Sequence, residues 1–242
     1  MISEQELERR LELACQHREL EPAFLRCLLD APLYAHAPMS DDHPRLRLIQ
    51  FRHPDGFYAL PIFTSHAKAL RAAGTTARLV QLTGRELFES TPGATFMLNP
   101  NDGGCVLYPE EIAALLEKGS VARVEKIQLE ADTPILIMEA PRPPVWLIPT
   151  LQALYADLPF VEAAYLLEVA PAERPEQCTF LVAIGVVQEH AERAARATIT
   201  MLQSTVAMAD LPLDLTTFDP ARDLPDYLCQ PGAERFFGPR KR

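Results

Sequence analysis

The stretch from Thr95 to Leu116 constrains what this chain can fold into more than any other segment. It combines a short apolar stretch, a polar turn, a second apolar stretch and a helix that opens with Pro109-Glu110-Glu111. The turn is Asn99-Pro-Asn-Asp-Gly-Gly104, and these are the residue types that turns require for their own geometry. The segment therefore predicts a strand, a hairpin corner and a helix before it indicates any chemistry.

The same turn is also the first candidate for a ligand-binding loop, because it holds two Asn, one Asp and two Gly. As a phosphate-binding loop it lacks the lysine of a P-loop and the glycine spacing of a dinucleotide fingerprint. Pro100 also removes a backbone N–H that an anion would need, and no histidine lies nearby to favour a metal. The turn is better interpreted as the corner between a buried strand and the Pro109 helix.

Composition bounds the class of protein. The 242 residues suffice for one large domain or two ordinary ones, and 48% are hydrophobic, enough for a core. With 23 Lys plus Arg against 33 Asp plus Glu, the net charge of −10 argues against a nucleic-acid-binding surface. The acidity indicates either affinity for a basic partner or, more simply, solubility.

The chain shows no sign of a membrane protein. No uninterrupted apolar run approaches the roughly 18 to 20 residues that span a bilayer. The amino terminus, Met1-Ile-Ser-Glu-Gln-Glu-Leu-Glu, is acidic and amphipathic, unlike a signal peptide. We therefore expect a cytoplasmic protein without a membrane partner.

Templates for catalysis and cofactor binding find little in the sequence. There is no Cys-x-x-Cys pair and no Gly-x-Ser-x-Gly, so the sequence predicts reduced thiols, no catalytic residue, no metal and no cofactor. His36, Asp41, Asp42 and His43 share one polar loop, where a weak metal or catalytic site is conceivable. Solvated loop residues are the simpler interpretation. The five scattered cysteines are Cys15, Cys27, Cys105, Cys178 and Cys229.

Apolar periodicity in the first half predicts an alternation of short helices and strands. Two helices lie within residues 3–30, and an exposed loop follows from Ala37 to Arg45. A hairpin, a helix capped by Thr64 or Ser65, another strand and a helical turn lead up to Thr95. The expected strands are 46–51, 57–63, 77–82, 95–98 and 106–107.

The second half begins after Gly119 and has its main body after the proline-rich break at residues 141–144. We expect the longest helix at 188–209, with Ala191, Ala195, Ile199, Leu202 and Val206 on its apolar face. The other helix should span 145–158, and the strands 127–129, 135–138, 161–169, 178–187 and 211–218, the fourth being central. The order predicts an α+β protein of two tandem domains, 1–122 and 123–242, each a small, mostly antiparallel sheet packed with helices.

Five side chains are the candidates for binding a protein partner. Asp41 and Asp42 form an exposed acidic pair. Trp146 is the only tryptophan and could anchor a partner or pack on its own sheet. Phe236 and Phe237 are either an interaction tag or a docking contact that holds the tail.

The order of several segments resembles the two-domain SseB family, the enhanced serine sensitivity proteins of bacteria. The resemblance covers roughly residues 18 to 238. It rests on Asp55-Gly-Phe-Tyr-Ala-Leu-Pro-Ile-Phe-Thr-Ser65, Leu82-Thr-Gly-Arg-Glu-Leu87, Leu98-Asn-Pro100, Leu107-Tyr-Pro-Glu-Glu-Ile112, Leu158-Pro-Phe-Val-Glu-Ala-Ala-Tyr-Leu-Leu167 and Leu211-Pro-Leu-Asp-Leu215.

The resemblance implies a cytosolic α+β protein with no assigned reaction and no catalytic residue to carry over. SseB-like domains also occur among immunity proteins encoded beside secreted polymorphic toxins. The leading hypothesis is therefore a non-enzymatic immunity protein that neutralises a basic toxin by direct binding. The alternatives are a housekeeping factor that affects serine metabolism through a metabolic protein partner, and an enzyme with an unrecognised site near His36 and His43.

Overall fold

The computed structural model of the chain describes residues 2–40, 43–119, 135–138, 142–205 and 212–238. The chain divides into two compact units, Met1–Val121 and Ala122–Arg242. Each unit combines helices with a mixed sheet, so the expectation of two α+β domains is confirmed.

The described part of the first unit contains five helices and six strands. They are α1 (Glu4–Gln16), α2 (Glu21–Asp30), β1 (Pro32–Pro38), β2 (Phe51–Arg52), β3 (Tyr58–Phe63), α3 (His66–Ala73), β4 (Ala77–Thr83), α4 (Gly84–Ser90), β5 (Phe96–Leu98), β6 (Cys105–Leu107) and α5 (Pro109–Lys118). A 3-10 turn, Arg18–Leu20, joins the first two helices. The six strands form one sheet in the order β4-β1-β3-β5-β6, with β2 beside β3. Of these described pairs, only β3 and β5 run parallel, and the other neighbours are antiparallel.

The core of the first unit follows from the alternation of side chains along its strands. On one face, Leu33 of β1, Ile62 of β3 and Phe96 of β5 pack with the apolar sides of α2, α4 and α5. On the other face, Tyr34 and Phe63 pack with α3. The sheet is therefore buried by helices on both faces, which explains why β1 is apolar along almost its whole length.

The described part of the second unit contains two helices and five strands. They are β7 (Ile135–Ile137), α6 (Leu147–Ala156), β8 (Ala163–Pro171), β9 (Thr179–Gly185), α7 (Gln188–Gln203), β10 (Leu213–Phe218) and β11 (Glu234–Phe237), with a 3-10 turn (Asp226–Cys229) before β11. The strands form a sheet in the order β10-β9-β8-β11, with β7 also paired to β8. The pair β9–β10 is parallel and the others are antiparallel. The strand expected to be central, β9, does lie between two others.

Helices α6 and α7 cover one face of this second sheet. Leu151 of α6 and Ala194 of α7 are fully buried against Leu166 and Ile184 of the central strands. A smaller cluster on the other face joins Phe218 and other residues to the 3-10 turn. Both clusters are thus built entirely from residues of the second unit.

Strand β1 was not predicted from the sequence, and the next strand in the chain, β2, was predicted with the wrong bounds. Residues 37–45 were expected to be a loop and 46–51 a strand, whereas β1 ends at Pro38 and the strand there is only Phe51–Arg52. Prolines at both ends of β1, Pro32 and Pro38, disguise it as a turn-bounded linker. A proline is tolerated at a strand end because the interior N–H groups still form the ladder.

Three further expectations need adjustment. Of the expected apolar face of α7, Leu202 is buried and Ala191 packs against the core, while Val206 and the rest of 206–209 lie outside the described residues. Ala195 and Ile199 are only partly buried, because the buried face lies one residue away, at Ala194, Ala197 and Thr198, so that part of the prediction is wrong. The small side chains of Ala194 and Thr198 give the periodicity little contrast with their neighbour Ala195, so the sequence did not distinguish the two faces. Strand β11 was not expected as a strand, since it is short and follows a Pro-Gly turn. The expected strand 127–129 lies outside the described residues.

Candidate functional site

A cleft of about 610 Å³ opens in the first unit between α1 and the turn that joins β5 to β6. Glu4, Glu8 and Glu12 line one wall, and their spacing of four places them on one side of α1. Lys68 of α3 and Asp102 of the turn contribute the charged groups of the facing wall. The turn that dominates the sequence therefore borders a concave surface.

Asn99 forms the floor of this cleft and joins two parallel strands. Its backbone N–H donates to the Ile62 carbonyl (2.8 Å), and the Thr64 N–H donates to its side-chain oxygen (3.1 Å). Its side-chain nitrogen donates to the Thr64 hydroxyl (2.8 Å). The Asn99 side chain thus extends the β3–β5 ladder past the point where the strands end.

A polar network rises from this floor to the walls. The Thr64 hydroxyl donates to Glu8, whose other oxygen binds Lys68 Nζ at 2.6 Å. Lys68 Nζ also lies 3.3 Å from Asp102, which in turn contacts Arg71 at 3.3 Å. The lysine is therefore shared by two carboxylates from opposite walls of the cleft.

Glu4 makes the second polar attachment of α1. It accepts hydrogen bonds from the Tyr34 hydroxyl and from the N–H of His66 (3.2 Å), the first residue of α3. A carboxylate at a helix amino terminus is favourable because unpaired N–H groups and the helix dipole point toward it. The hydrogen bond to Glu4, together with burial, raises the pKa of Tyr34 to about 12.

The charge of the cleft is negative. Its lining contains four carboxylates, on Glu4, Glu8, Glu12 and Asp102, against the cations Arg9 and Lys68. Glu12 is exposed, whereas Glu8 and Asp102 are already paired with Lys68. Such a lining suits a cationic group better than an anionic one. Across residues 2–40, 43–119, 135–138, 142–205 and 212–238, no group of three or more His, Cys, Asp or Glu is arranged to hold a metal ion.

The turn itself has the geometry of a hairpin corner, as expected. Strands β5 and β6 pair antiparallel on either side of it. Gly103 has a positive φ of 74°, and a Cβ on Gly104 would lie 2.2 Å from the Leu98 carbonyl oxygen. Sequence reasoning missed the cleft because no local pattern shows that α1 lies against this turn. The regular spacing of Glu4, Glu8 and Glu12 was the available signal.

Of the five predicted partner-binding residues, three belong to the second unit and two lie outside the described residues. Asp41 and Asp42 lie outside the described residues. Trp146 is partly buried just before α6, and Phe236 and Phe237 are partly buried on β11. All three aromatic residues adjoin the same core cluster of the second unit.

The two phenylalanines anchor the last strand. Their rings lie 6.2 Å and 5.6 Å from the ring of the buried Tyr155. The Gln152 side chain also donates to the Phe236 carbonyl at 2.8 Å. The docking contact considered from the sequence is therefore present, and a role of Trp146, Phe236 and Phe237 in binding a partner stays a prediction.

The two histidines of the alternative site differ in their surroundings. His36 is buried on β1, where its Nε2 lies 2.9 Å from the Ala69 carbonyl and must therefore carry a proton. Its ring packs against Phe63 at 4.8 Å. His43 is exposed and accepts the Arg45 N–H at 3.1 Å. The contacts of His36 are those of a structural side chain.

Comparison with known proteins identifies the family. The SseB protein N-terminal domain matches residues 7–114, and the SseB protein C-terminal domain matches residues 129–231. The chain belongs to the SseB family. Protein SseB of Escherichia coli (strain K12) and Protein SseB of Shigella flexneri are each 28% identical to it over 193 residues, which is 76% of this chain and 74% of theirs. No solved structure matches.

Two of the segments that carry the SseB resemblance start helices. Thr83 caps α4 and exchanges hydrogen bonds with Glu86, while a Cβ on Gly84 would lie 2.1 Å from the Leu28 carbonyl oxygen. At α5, the buried Glu111 accepts the Tyr108 N–H at 3.0 Å. These residues fix backbone geometry, so the signature describes an architecture. None of the helices in the described ranges is long and apolar enough to cross a membrane.

Proposed function

We propose that this SseB family member is a non-enzymatic, cytoplasmic protein that acts by binding another protein through the acidic cleft of its first unit. The observation that carries the proposal is the acidic lining of that cleft, from Glu4 to Glu12 along α1 and across to Asp102. A concave surface of one predominant charge offers a partner of opposite charge both a complementary shape and a complementary potential.

The proposed partner is basic. Four carboxylates face the cleft, and the whole chain carries a net charge of −10. Opposite potentials across an interface accelerate association and select against wrong partners. Since SseB-like domains occur among toxin immunity proteins, the most concrete version is an immunity protein that neutralises a secreted bacterial toxin by direct binding.

Charge reversal in the cleft tests the proposal directly. Tagged wild-type protein and the variant Glu12→Lys would be used to capture partners from the bacterium that makes this chain. Glu117→Lys is the matched control, because Glu117 is an exposed glutamate of α5 that does not line the cleft. We expect the wild type and Glu117→Lys to retain the partner and Glu12→Lys to bind it about tenfold or more weakly.

The immunity role makes a separate demand on the cell. Deleting the gene should cause self-intoxication, and adding back the wild type but not Glu12→Lys should restore growth. Capture that Glu12→Lys leaves intact would reject the cleft. Loss of capture in Phe236→Ala, with the cleft variants unaffected, would move the interface to the second unit.

A housekeeping role through a metabolic protein partner is the second candidate. It is favoured by the match of both domains to SseB proteins, whose family takes its name from serine sensitivity. Growth of deletion and overexpression strains on serine separates the two roles. An immunity protein leaves that growth unchanged, whereas a factor in serine metabolism alters it.

A further inference from the structure

Helix α1 is attached to the rest of the first unit by a few apolar side chains and several polar ones. Only Leu7 and Ala14 of this helix are buried, with Leu11 partly packed against the same cluster. The remaining attachment is polar and runs through Glu4, Glu8 and Arg10, whose Nη1 donates to Cys27 Sγ of α2. Polar contacts at partly exposed positions contribute less to stability than buried apolar surface.

The same helix builds a large part of the cleft. Nearly half of the residues that line the cleft belong to α1, including three of its four carboxylates. The other wall, formed by Lys68, Asn99 and Asp102, belongs to elements that pack on the sheet. The cleft is therefore present only when α1 is docked.

We propose that α1 is a latch that undocks as a unit while the rest of the first unit stays folded, and that its docking assembles the cleft. Proteins open locally with free energies from near zero up to that of global unfolding, and elements with few buried apolar contacts open first. Glu8 makes the main polar attachment of α1, because its carboxylate binds both the Thr64 hydroxyl and Lys68 Nζ across the cleft.

The latch also links docking to binding. A partner that contacts Glu12 and Asp102 together stabilises the docked helix, and by reciprocity docking raises the affinity for that partner. This linkage rests on the proposed function. The latch itself does not, since it is a property of the protein alone.

Amide hydrogen exchange of the protein alone tests the latch. In the wild type, we expect amides in the second half of α1 to exchange about tenfold or more faster than those of β1 and β3. The substitution Glu8→Gln removes charge-assisted hydrogen bonds, so α1 should exchange about 10- to 100-fold faster again. The rates in β1 and β3 should stay unchanged.

Glu6→Gln is the matched control on the same helix. The Glu6 side chain binds Arg9 and Arg10 of α1 itself, at 2.8 and 2.6 Å, and among the described residues it has no hydrogen bond or ion pair to another element. Arg10 also donates to Cys27 Sγ of α2, in a bond that does not involve Glu6. We expect it to accelerate exchange in α1 by at most about fivefold. Equal acceleration of α1 exchange by Glu8→Gln and Glu6→Gln would reject Glu8 as the main polar attachment of α1.

Two other results would overturn the proposal. One is exchange of α1 amides at the rates of β1 in the wild type. The other is acceleration of β1 and β3 by Glu8→Gln as large as that of α1, which would make α1 part of the global unfolding unit. Fast, Glu8-dependent exchange together with capture that is insensitive to Glu12→Lys would keep the latch and reject the proposed binding site.

Discussion

Asn99 has two structural roles in the first unit, because it adopts a rare backbone conformation and its side chain bonds to Thr64. It is the only described non-glycine residue with a positive φ, at 47°. Asn tolerates the left-handed region better than other residues because its short polar side chain can bond locally. Here the side chain is buried and bonds to Thr64, so the backbone conformation and the polar network depend on the same residue.

Substitutions at Asn99 should separate these two roles. Asn99→Ala keeps the strained backbone and leaves the Thr64 N–H without its partner, so we expect a loss of about 2–4 kcal/mol in unfolding free energy. Asn99→Gly loses the same hydrogen bonds but relieves the strain, so its stability should fall between that of Asn99→Ala and the wild type. Urea unfolding followed by circular dichroism measures the order. Equal stability of Asn99→Gly and the wild type would contradict the role of the amide.

Sequence reasoning at this scale identified the residues of the turn but not their partners. Gly103 and Gly104 predict a tight turn, because the conformational freedom of glycine is a local property that the sequence shows directly. Asn99 and Thr64 are 35 residues apart, and Thr64 and Glu8 are 56 residues apart. Contacts over such separations depend on the packing of whole elements, so no local pattern contains them.

At the scale of the element, α1 is held in shape by ion pairs within itself. Glu6 bonds Arg9 and Arg10 one turn further along the helix. These hydrogen bonds, with the attraction of the two guanidinium groups, lower the pKa of Glu6 from 4.5 to about 2. The folded state therefore binds this proton less tightly than the unfolded state does.

The direction of that shift sets a pH dependence. Glu6 contributes stability that is fully present above about pH 4.5 and is lost as the pH falls toward about 2. We expect the wild type to exceed Glu6→Gln in melting temperature at pH 5 and the difference to vanish near pH 2. Thermal unfolding across that range, with Glu117→Gln as a control, measures it. A difference that stays constant from pH 5 to pH 2 would contradict the assignment.

Helices were easier to predict than strands for a physical reason. Helices α2 and α5 each carry a proline in the first turn and a local apolar stripe, which are signals contained within the helix. Strands β1 and β11 depend on neighbours elsewhere in the chain for their hydrogen bonds. Its terminal prolines hid β1, although this strand lies inside its sheet, and β11 was hidden by its length of only 4 residues.

At the scale of the molecule, each unit has a core of its own. The largest cluster of the first unit extends from Leu7 to Leu115, and that of the second from Leu147 to Leu202. The only tryptophan, Trp146, adjoins the second core. Its fluorescence therefore reports on the second unit, whereas far-ultraviolet circular dichroism reports on both.

This placement allows a test of independent folding. In Asn99→Ala we expect the circular dichroism transition in urea to separate into two steps, while the midpoint seen by Trp146 fluorescence stays that of the wild type. Leu151→Ala is the reciprocal control, because it removes a fully buried side chain of the second core and should cost about 2–5 kcal/mol. It should shift the fluorescence midpoint. A shift of that midpoint in Asn99→Ala would show that the units unfold together.

The helix caps and close backbone approaches have a consequence for how relatives of this chain are compared. Thr83, Glu86 and Asn99 are required by the local backbone conformation. We therefore expect chains that share these residues to share the backbone fold. A shared shape leaves the choice of partner open. We expect that choice to be recorded in the side chains of α1 that face the cleft and at Asp102, positions where the backbone sets no requirement. Two chains with the same helix-cap residues can therefore share a fold and still bind different partners.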